Sequence, residues 1–436
     1  MSTDLQVRSR ARVLPFVRHR AHRTRVLIAG GGIAGSTLAW WLTEAGFIVS
    51  LIENRPEPRD RGSMIDFWGA GYDVAEKMEL IDELRDQAYC IDEVRFVDAR
   101  GEKIGGFELK SLRSVLNGRC FSILRDDLAR TLSERVATRV ECLFDDPIAA
   151  LEQRRNDVLV QFESGKACSF DLVIGADGVR SRVRELAFGE LAAFEARLGY
   201  YAASFFVDGY RFRDERAYVS HTTPRRHLAR YALRGGRTAF SLICVAPTAA
   251  NDPPHLAARK AFLRTMFRSD AWEIEGILSA LDRTEELYFE RMSQIVMSRW
   301  SNGRVALVGD ACFCPSALAE QGATLGMGGA YLLARELHAR RDYTTAFRNY
   351  ETRFRPFVAR KQSAARRIGG WLVPHSWPAL VWRNAGSPLL SSPSVLRRAL
   401  GKELLETLEL PTFGYRRRLW ETALPSAQRQ TSRKQK

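Results

Sequence analysis

Apolar and polar positions follow three rhythms along this chain. Val26–Ala29 is an unbroken apolar run, the mark of a strand buried on both faces of a parallel sheet. Up to Asn54 it is followed by a glycine turn, a helix and a second strand ending at Glu53. Asp171–Gly175 and Arg304–Val308 repeat the buried-strand pattern and lead into Ala176-Asp177-Gly178 and Gly309-Asp310. A period of two marks residues 94–109 as a hairpin turning at Ala99–Glu102, and Val158–Phe162 with Ala167–Phe170 as another around Glu163–Lys166. Residues 198–247, rich in Tyr, Phe and Val with turns between, predict an antiparallel sheet. The helical period appears near Tyr72–Met78, in Ile123–Val140 with apolar residues at 124, 128, 132 and 136, in 254–282, from Gly328 to Arg340 and through 343–372. No internal repeat is apparent.

These rhythms predict an α/β fold. A Rossmann-like domain spans 25–184 and 301–370, interleaved with an antiparallel-sheet substrate domain over 185–300. A C-terminal helical segment covers 371–412, and basic extensions lie at 1–24 and 413–436. A chain of 436 residues suits such a two-part body.

Charge changes the picture less than its size suggests. The formal net charge is +15, but residues 1–25 hold seven Arg against Asp4, and 416–436 hold seven Arg and Lys against Glu421. The rest of the chain therefore carries only about +3, and with no recognition fold beside the charge no nucleic acid is expected as a partner. The N-terminal extension has the Arg-rich, acid-poor make-up of a transit peptide; a disordered extension is the preferred reading, and it lacks the apolar stretch of a secretory signal. No apolar run is long enough for a transmembrane helix. Seven Cys without framework spacing fit a reduced cytoplasm, and no Cys/His cluster points to a metal.

The chemistry concentrates in Gly30-x-Gly32-x-x-Gly35, placed between a strand and a helix. Gly30 permits the tight turn, Gly32 lets backbone approach a pyrophosphate, and Gly35 lets the helix pack on the strand. The free N–H groups of the helix start attract phosphate. Glu53, eighteen residues after Gly35, ends the second strand where a carboxylate accepts from ribose hydroxyls.

Three signatures stand in order: GGGIAG at 30–35, GADGVRSRVR at 175–184 and GRVALVGDACF at 303–313. Together they resemble the class A FAD-dependent aromatic-ring monooxygenases of the para-hydroxybenzoate hydroxylase fold. The nearest branch is that of the tetracycline-inactivating and polyketide-tailoring hydroxylases, and the resemblance covers roughly residues 24–410. It implies that Gly30, Gly32 and Gly35 hold the FAD pyrophosphate and Glu53 the adenosine ribose. Arg125 matches an FAD-contacting Arg at a helix start. Asp66 matches a loop residue beside the flavin, and Asp177-Gly178 the motif linked to FAD and pyridine nucleotide. Asp310 matches the contact to the ribityl region, and Gln321-Gly322 the backbone near the isoalloxazine. The chain departs from the pattern at Ala317, where many relatives have Pro, and at Glu320, where many have Gly. If glycine there serves a positive φ, Glu costs about 1–2 kcal/mol.

The resemblance further implies that NADPH or NADH reduces FAD and that O2 adds at flavin C4a. The resulting hydroperoxide then hydroxylates an aromatic or polyketide-like small molecule of secondary metabolism. Phe205, Phe206, Tyr218, Tyr231 and Phe240 are expected to wall the substrate pocket, and His221 and His227 are candidates for a base by residue type alone. Cys312 and Cys314 read as small buried residues rather than a redox pair. The segment 371–408, with Trp371, Trp377 and Trp382, reads as helix packed over the substrate domain rather than as a membrane-facing one. Two other outcomes remain: a flavin-dependent reductase of the same fold, and a degenerate flavin-fold protein without catalysis. A halogenase is disfavoured because its Trp-x-Trp-x-Ile segment is absent.

Overall fold

The computed structural model describes residues 24–53, 64–211, 214–247, 252–316, 321–340 and 342–413. The basic extensions lie outside those residues except for Thr24 and Phe413, and so do Ala317 and Glu320. The body is α/β, with a parallel sheet, a large mostly antiparallel sheet and C-terminal helices.

The three apolar runs found in the sequence become adjacent strands of one six-stranded sheet. Its order is Ser301–Asn302, Val305–Leu307, Leu172–Gly175, Arg25–Ala29, Ile48–Glu53 and Glu141–Phe144. The central pairs are parallel, with Ala29 beside both Ile52 and Gly175, and Gly175 beside Leu307. Three strand ends thus open on the same edge, where a doubly wound sheet places its ligand. Val26, Leu27, Ile28, Val173 and Ile174 have no solvent exposure, sharing one core with helix Ile33–Glu44 and with the small antiparallel sheet of Ile148–Gln153, Val158–Phe162 and Ala167–Phe170. A second helix, Gly322–Ala339, packs along Ile33–Glu44.

That second helix starts six residues before the expected Gly328, and its glycines explain both the miss and the packing. In GATLGMGGA they weaken the helical signal, yet they let neighbours come close. A Cβ on Gly326 would stand 3.3 Å from the Ala34 Cβ, and one on Gly329 would stand 2.8 Å from the Phe313 ring and 2.9 Å from that of Phe354. The expected helix 123–140 is corrected at its start. Cys120–Leu124 is a strand paired with Met64–Trp68, and the helix runs Arg125–Ala137. Leu124 has an extended backbone (ψ 134°) and joins the core under the large sheet, while Leu128, Leu132 and Val136 are buried on the helix as the period requires.

The large sheet has seven strands in the order Tyr288–Ile295, Glu195–Asp208, Arg237–Val245, Arg226–Ala232, Ala217–Thr223, Glu93–Val97 and Lys103–Glu108. All pairs are antiparallel except Ala217–Thr223 with Glu93–Val97, so the hairpin at 94–109 joins this sheet. Its outer face is covered by helices Leu256–Phe267 and Ile274–Arg283. Its inner face turns toward Met64, Leu124 and the C-terminal helices.

The glycine packing is directly testable. Gly329→Ala, which presses a methyl into two aromatic rings, is expected to cost about 1–3 kcal/mol. Gly370→Ala, on the exposed end of helix Tyr343–Leu372 with open space around it, is expected to stabilise by about 0.5–1 kcal/mol. Thermal unfolding of both variants reads the opposite signs.

Candidate active site

At the open edge of the parallel sheet the backbone makes a cradle. Gly30 turns with φ +104°, and a Cβ there would lie 2.5 Å from the Ala176 carbonyl oxygen. A Cβ on Gly35 would lie 1.8 Å from the Gly30 carbonyl oxygen, so the helix sits on the turn only because Gly35 has no side chain. Gly32 has no atom within 4 Å of its Cβ position and faces the cavity. The helix Ile33–Glu44 has neither an N-capping side chain nor an acidic residue in its first turn. Its first N–H groups and positive dipole end are thus left for an anion.

One cavity collects most of the predicted residues. Gly30, Gly32, Glu53, Arg125, Asp177, Gly178, Asp310 and Gly322 line it. Glu53 accepts a hydrogen bond from the Gly31 N–H at 2.7 Å through one oxygen. Asp177 accepts from the Ser181 hydroxyl and from the Val183 N–H (3.0 Å), so it organises the start of helix Arg182–Phe188 as well as lining the cavity. Burial raises its carboxyl pKa, against the lowering effect of those hydrogen bonds. Arg125 and Asp310 stand 3.6 Å apart across the cavity, the guanidinium half exposed to it. Asp310 follows Gly309, whose φ of +69° turns the chain into helix Asp310–Phe313. Gly322, Ala323 and Gly326 bring the N-terminal turn of helix Gly322–Ala339 to the same wall.

Past the Arg125–Asp310 pair lies a second cavity that shares Arg125, Asp310, Gly322 and Ala323 with the first. Its apolar lining is Ile65, Val179, Met292 and Pro315; its polar lining includes Ser316 and the pair Tyr288–Glu290. The Tyr288 hydroxyl donates to the Glu290 carboxylate. Burial first, and then Glu290, push the Tyr288 hydroxyl pKa well above its usual value. This pair is not among the residues that the sequence motifs single out. Its signal is the strand alternation of Tyr288–Ile295, which sets residues 288, 290 and 292 on one face.

Two predicted residues stand apart. Asp66 is not in a loop beside the cradle: it lies within strand Met64–Trp68, accepts from the Ser122 hydroxyl at 2.7 Å and lines a different cavity with Arg113 and Cys120. The alternation of the strand is the reason, since its neighbour Ile65 faces the second cavity. Burial raises the Asp66 pKa, partly offset by Ser122 and Arg113. Gln321 is buried next to Gly322 but lines neither cavity, and its Oε1 has no hydrogen-bond partner among the described residues.

The aromatic wall divides by the same period of two. Phe205 and Phe240 pack outward under helices Leu256–Phe267 and Ile274–Arg283, whereas Phe206, Tyr218 and Tyr231 cluster on the inner face. His221 points outward, bonded to the Val97 carbonyl. His227 is buried with both ring nitrogens engaged, to the Tyr218 hydroxyl at 3.1 Å and the Thr222 hydroxyl at 2.9 Å. Burial, with the nearby Arg383 and His221, pushes its pKa down to about 3. Cys312 and Cys314 are buried free thiols whose pKa burial raises well above the usual value, the state of inert packing residues. No group of three metal-ligating side chains occurs among the described residues.

His227 gives the fold an acid limit. The unfolded chain takes up a proton below the ordinary value of 6.5 that the folded chain refuses until about 3. Stability from this group is complete above 6.5 and falls as pH drops below it, by about 1.4 kcal/mol per pH unit. Thermal unfolding of native protein and of His227→Gln across this range should show the native midpoint falling faster with acid. Parallel curves would refute the buried neutral imidazole.

Residues 23–360 match the family described as FAD binding domain. A flavin-dependent monooxygenase from an unknown prokaryotic organism is 33% identical over 366 residues, 80% of this chain and 90% of that protein. Another from Legionella longbeachae is 32% identical over 360 residues, 80% of this chain and 88% of its own length. Among solved structures, the tetracycline destructase Tet(55) superposes with a TM-score of 0.76 at 28% identity, over 90% of this chain and 99% of that one. Klebsiella pneumoniae HpxO complexed with FAD and uric acid shares the fold, with a TM-score of 0.73 at 21% identity, over 88% of this chain and 97% of that one. A glycine cradle at a helix N-terminus, a carboxylate at the second strand end and a guanidinium across the cavity form a donor set that fits FAD. The chain belongs to the FAD binding domain family and is a class A FAD-dependent monooxygenase.

Proposed function

We propose that this enzyme uses NADPH or NADH, FAD and O2 to hydroxylate an electron-rich carbon of a planar aromatic or polyketide-like molecule. The observation that carries the reading is the pair of cavities joined at Arg125 and Asp310. The glycine-lined one suits a dinucleotide. The other offers an apolar lining with a few convergent polar groups, as small-molecule sites do. The similarity to a tetracycline destructase supports a polycyclic substrate class.

FAD held at Gly30, Gly32, Gly35, Glu53, Arg125, Asp310 and Gly322 supplies the electron transfer to O2 and the oxygen insertion. The chain's own residues do the rest. The N-terminal turn of helix Gly322–Ala339 directs its positive end to the shared wall, where it stabilises negative charge. Arg125 has guanidinium donors to spare beyond Asp310. Ile65, Val179, Met292 and Pro315 exclude water. Glu290 accepts the proton of a substrate phenol or enol, directly or through the Tyr288 hydroxyl, making the carbon skeleton more nucleophilic.

The experiment is a visible spectrum of purified protein, then NADPH addition under air with a panel of polycyclic phenols and 18O2. Flavin absorbance that bleaches and recovers, with one labelled oxygen in product, bears out the reading. NADPH oxidation with a reduced, unlabelled product would instead show a reductase. Glu290→Gln should retain FAD and lose about 10²–10⁴ of kcat/KM, with the loss shrinking as pH approaches the substrate's own pKa. Gly35→Ala should purify with at least about tenfold less FAD, because the added methyl reopens the turn; full FAD content would refute the cradle.

A further inference from the structure

Six of the ten large apolar side chains most exposed among the described residues fall between Trp371 and Val395. Trp382 is 79% exposed, Leu389 64% and Trp377 63%, and Val381 lies between the two tryptophans. The segment beneath them is well anchored. Helix Trp377–Gly386 buries Leu380 and Arg383, and Arg383 lies over the Phe96 ring at 4.2 Å while donating to the Leu372 carbonyl at 3.0 Å. Ser387 accepts from the Gly106 N–H at 2.7 Å and Ser391 from the Glu108 N–H at 3.1 Å. The exposed side chains are therefore the outer face of a docked platform. Isolated surface apolar residues need no explanation, but six exposed large apolar side chains within one 25-residue segment mark an interaction site.

Charge identifies the partner. No Asp or Glu occurs between Glu351 and Glu403, a stretch that includes Arg366, Arg367, Arg383, Arg397, Arg398 and Lys402. Arg366, Arg367, Arg397 and Arg398 are exposed. The segment is cationic, and Glu108, whose N–H donates to the Ser391 hydroxyl, is paired with Lys110, so a second copy would set like charge against like. An anionic lipid surface meets both demands: headgroup charge for the arginines and an interfacial layer for indole rings. No helix among the described residues is long and apolar enough to cross a membrane, which suits a platform that lies on one.

We propose that the Trp377–Val395 platform is a peripheral binding site for an anionic lipid bilayer, with Trp377, Val381, Trp382 and Leu389 entering the interface. This reverses the packed-helix expectation for the outer side of the segment while keeping it for the inner side.

The test is co-sedimentation of the full chain with vesicles of phosphatidylcholine alone and of phosphatidylcholine and phosphatidylglycerol in equal parts. The native chain should partition onto the anionic vesicles and far less onto the neutral ones. Trp377→Ser/Trp382→Ser should lower that partitioning by at least about tenfold, and Val381→Ser/Leu389→Ser, a second variant in case the first misfolds, should lower it similarly. Unchanged partitioning of correctly folded variants would overturn the proposal and assign the binding to the basic chain ends. Equal binding to neutral vesicles would overturn the anionic requirement. Failure to bind vesicles, with a dimer in sedimentation velocity that Trp377→Ser/Trp382→Ser converts to monomer, would give the face to a second copy.

Discussion

The site depends on how closely backbone can approach backbone at one point. The ends of the strands at Ala29, Gly175 and Leu307 are neighbours in the parallel sheet. The segments leaving them must pass one another and the start of helix Ile33–Glu44. Gly35 under the Gly30 carbonyl, Gly30 against Ala176 and Asp177, and Gly309 against Ala34 occupy those crossings, and a Cβ at any of them would stand 1.8–2.8 Å from a neighbouring atom. Gly326 brings helix Gly322–Ala339 within reach of the same Ala34. Because the crossings are tight, two helix N-terminal turns, Arg125 and Asp310 surround one cavity. Widening any of them by a methyl would move a donor by more than hydrogen-bond geometry tolerates.

The cradle could be read from the sequence because it is local. Strand, glycine spacing and helix fall within thirty residues, and Glu53 follows at a fixed distance. The strand ends at Gly175 and Gly309 announced themselves the same way. What was not legible depended on partners distant in the chain. Strand Cys120–Leu124 pairs with Met64–Trp68, and no local period carries that pairing, so the helical pattern extends over Ile123–Leu124. Helix Gly322–Ala339 was shortened because its glycines lower helix propensity, and their use, close packing on Phe313, Phe354 and Ala34, exists only in three dimensions.

Side-chain direction was the other hidden quantity. In a strand a one-residue step changes the face. Phe205 and Phe206 differ by that step and serve opposite sides of the sheet; Ile65 and Asp66 do the same. A count of aromatics in 198–247 finds the sheet but cannot say which residues line its inner face until neighbouring strands fix the register. The same register brings Tyr288 and Glu290 to the cavity; their alternation puts both on one face but does not say which face that is.

Burial also sorts the ionisable groups by what they can do. His227, Cys312 and Cys314 are chemically attractive by residue type, yet desolvation holds each in its neutral form and their polar atoms are turned to neighbouring hydroxyls or carbonyls. Neutral, bonded groups rigidify the walls and contribute no charge. Charge around the second cavity comes from Arg125, Asp310, Glu290 and Arg291, on a helix start, a strand-end turn and the edge strand of the large sheet. Two cations and two carboxylates on three separately anchored elements keep their spacing when a ligand enters. Electrostatic stabilisation needs that fixity, since dipoles that must reorganise during reaction return most of their advantage.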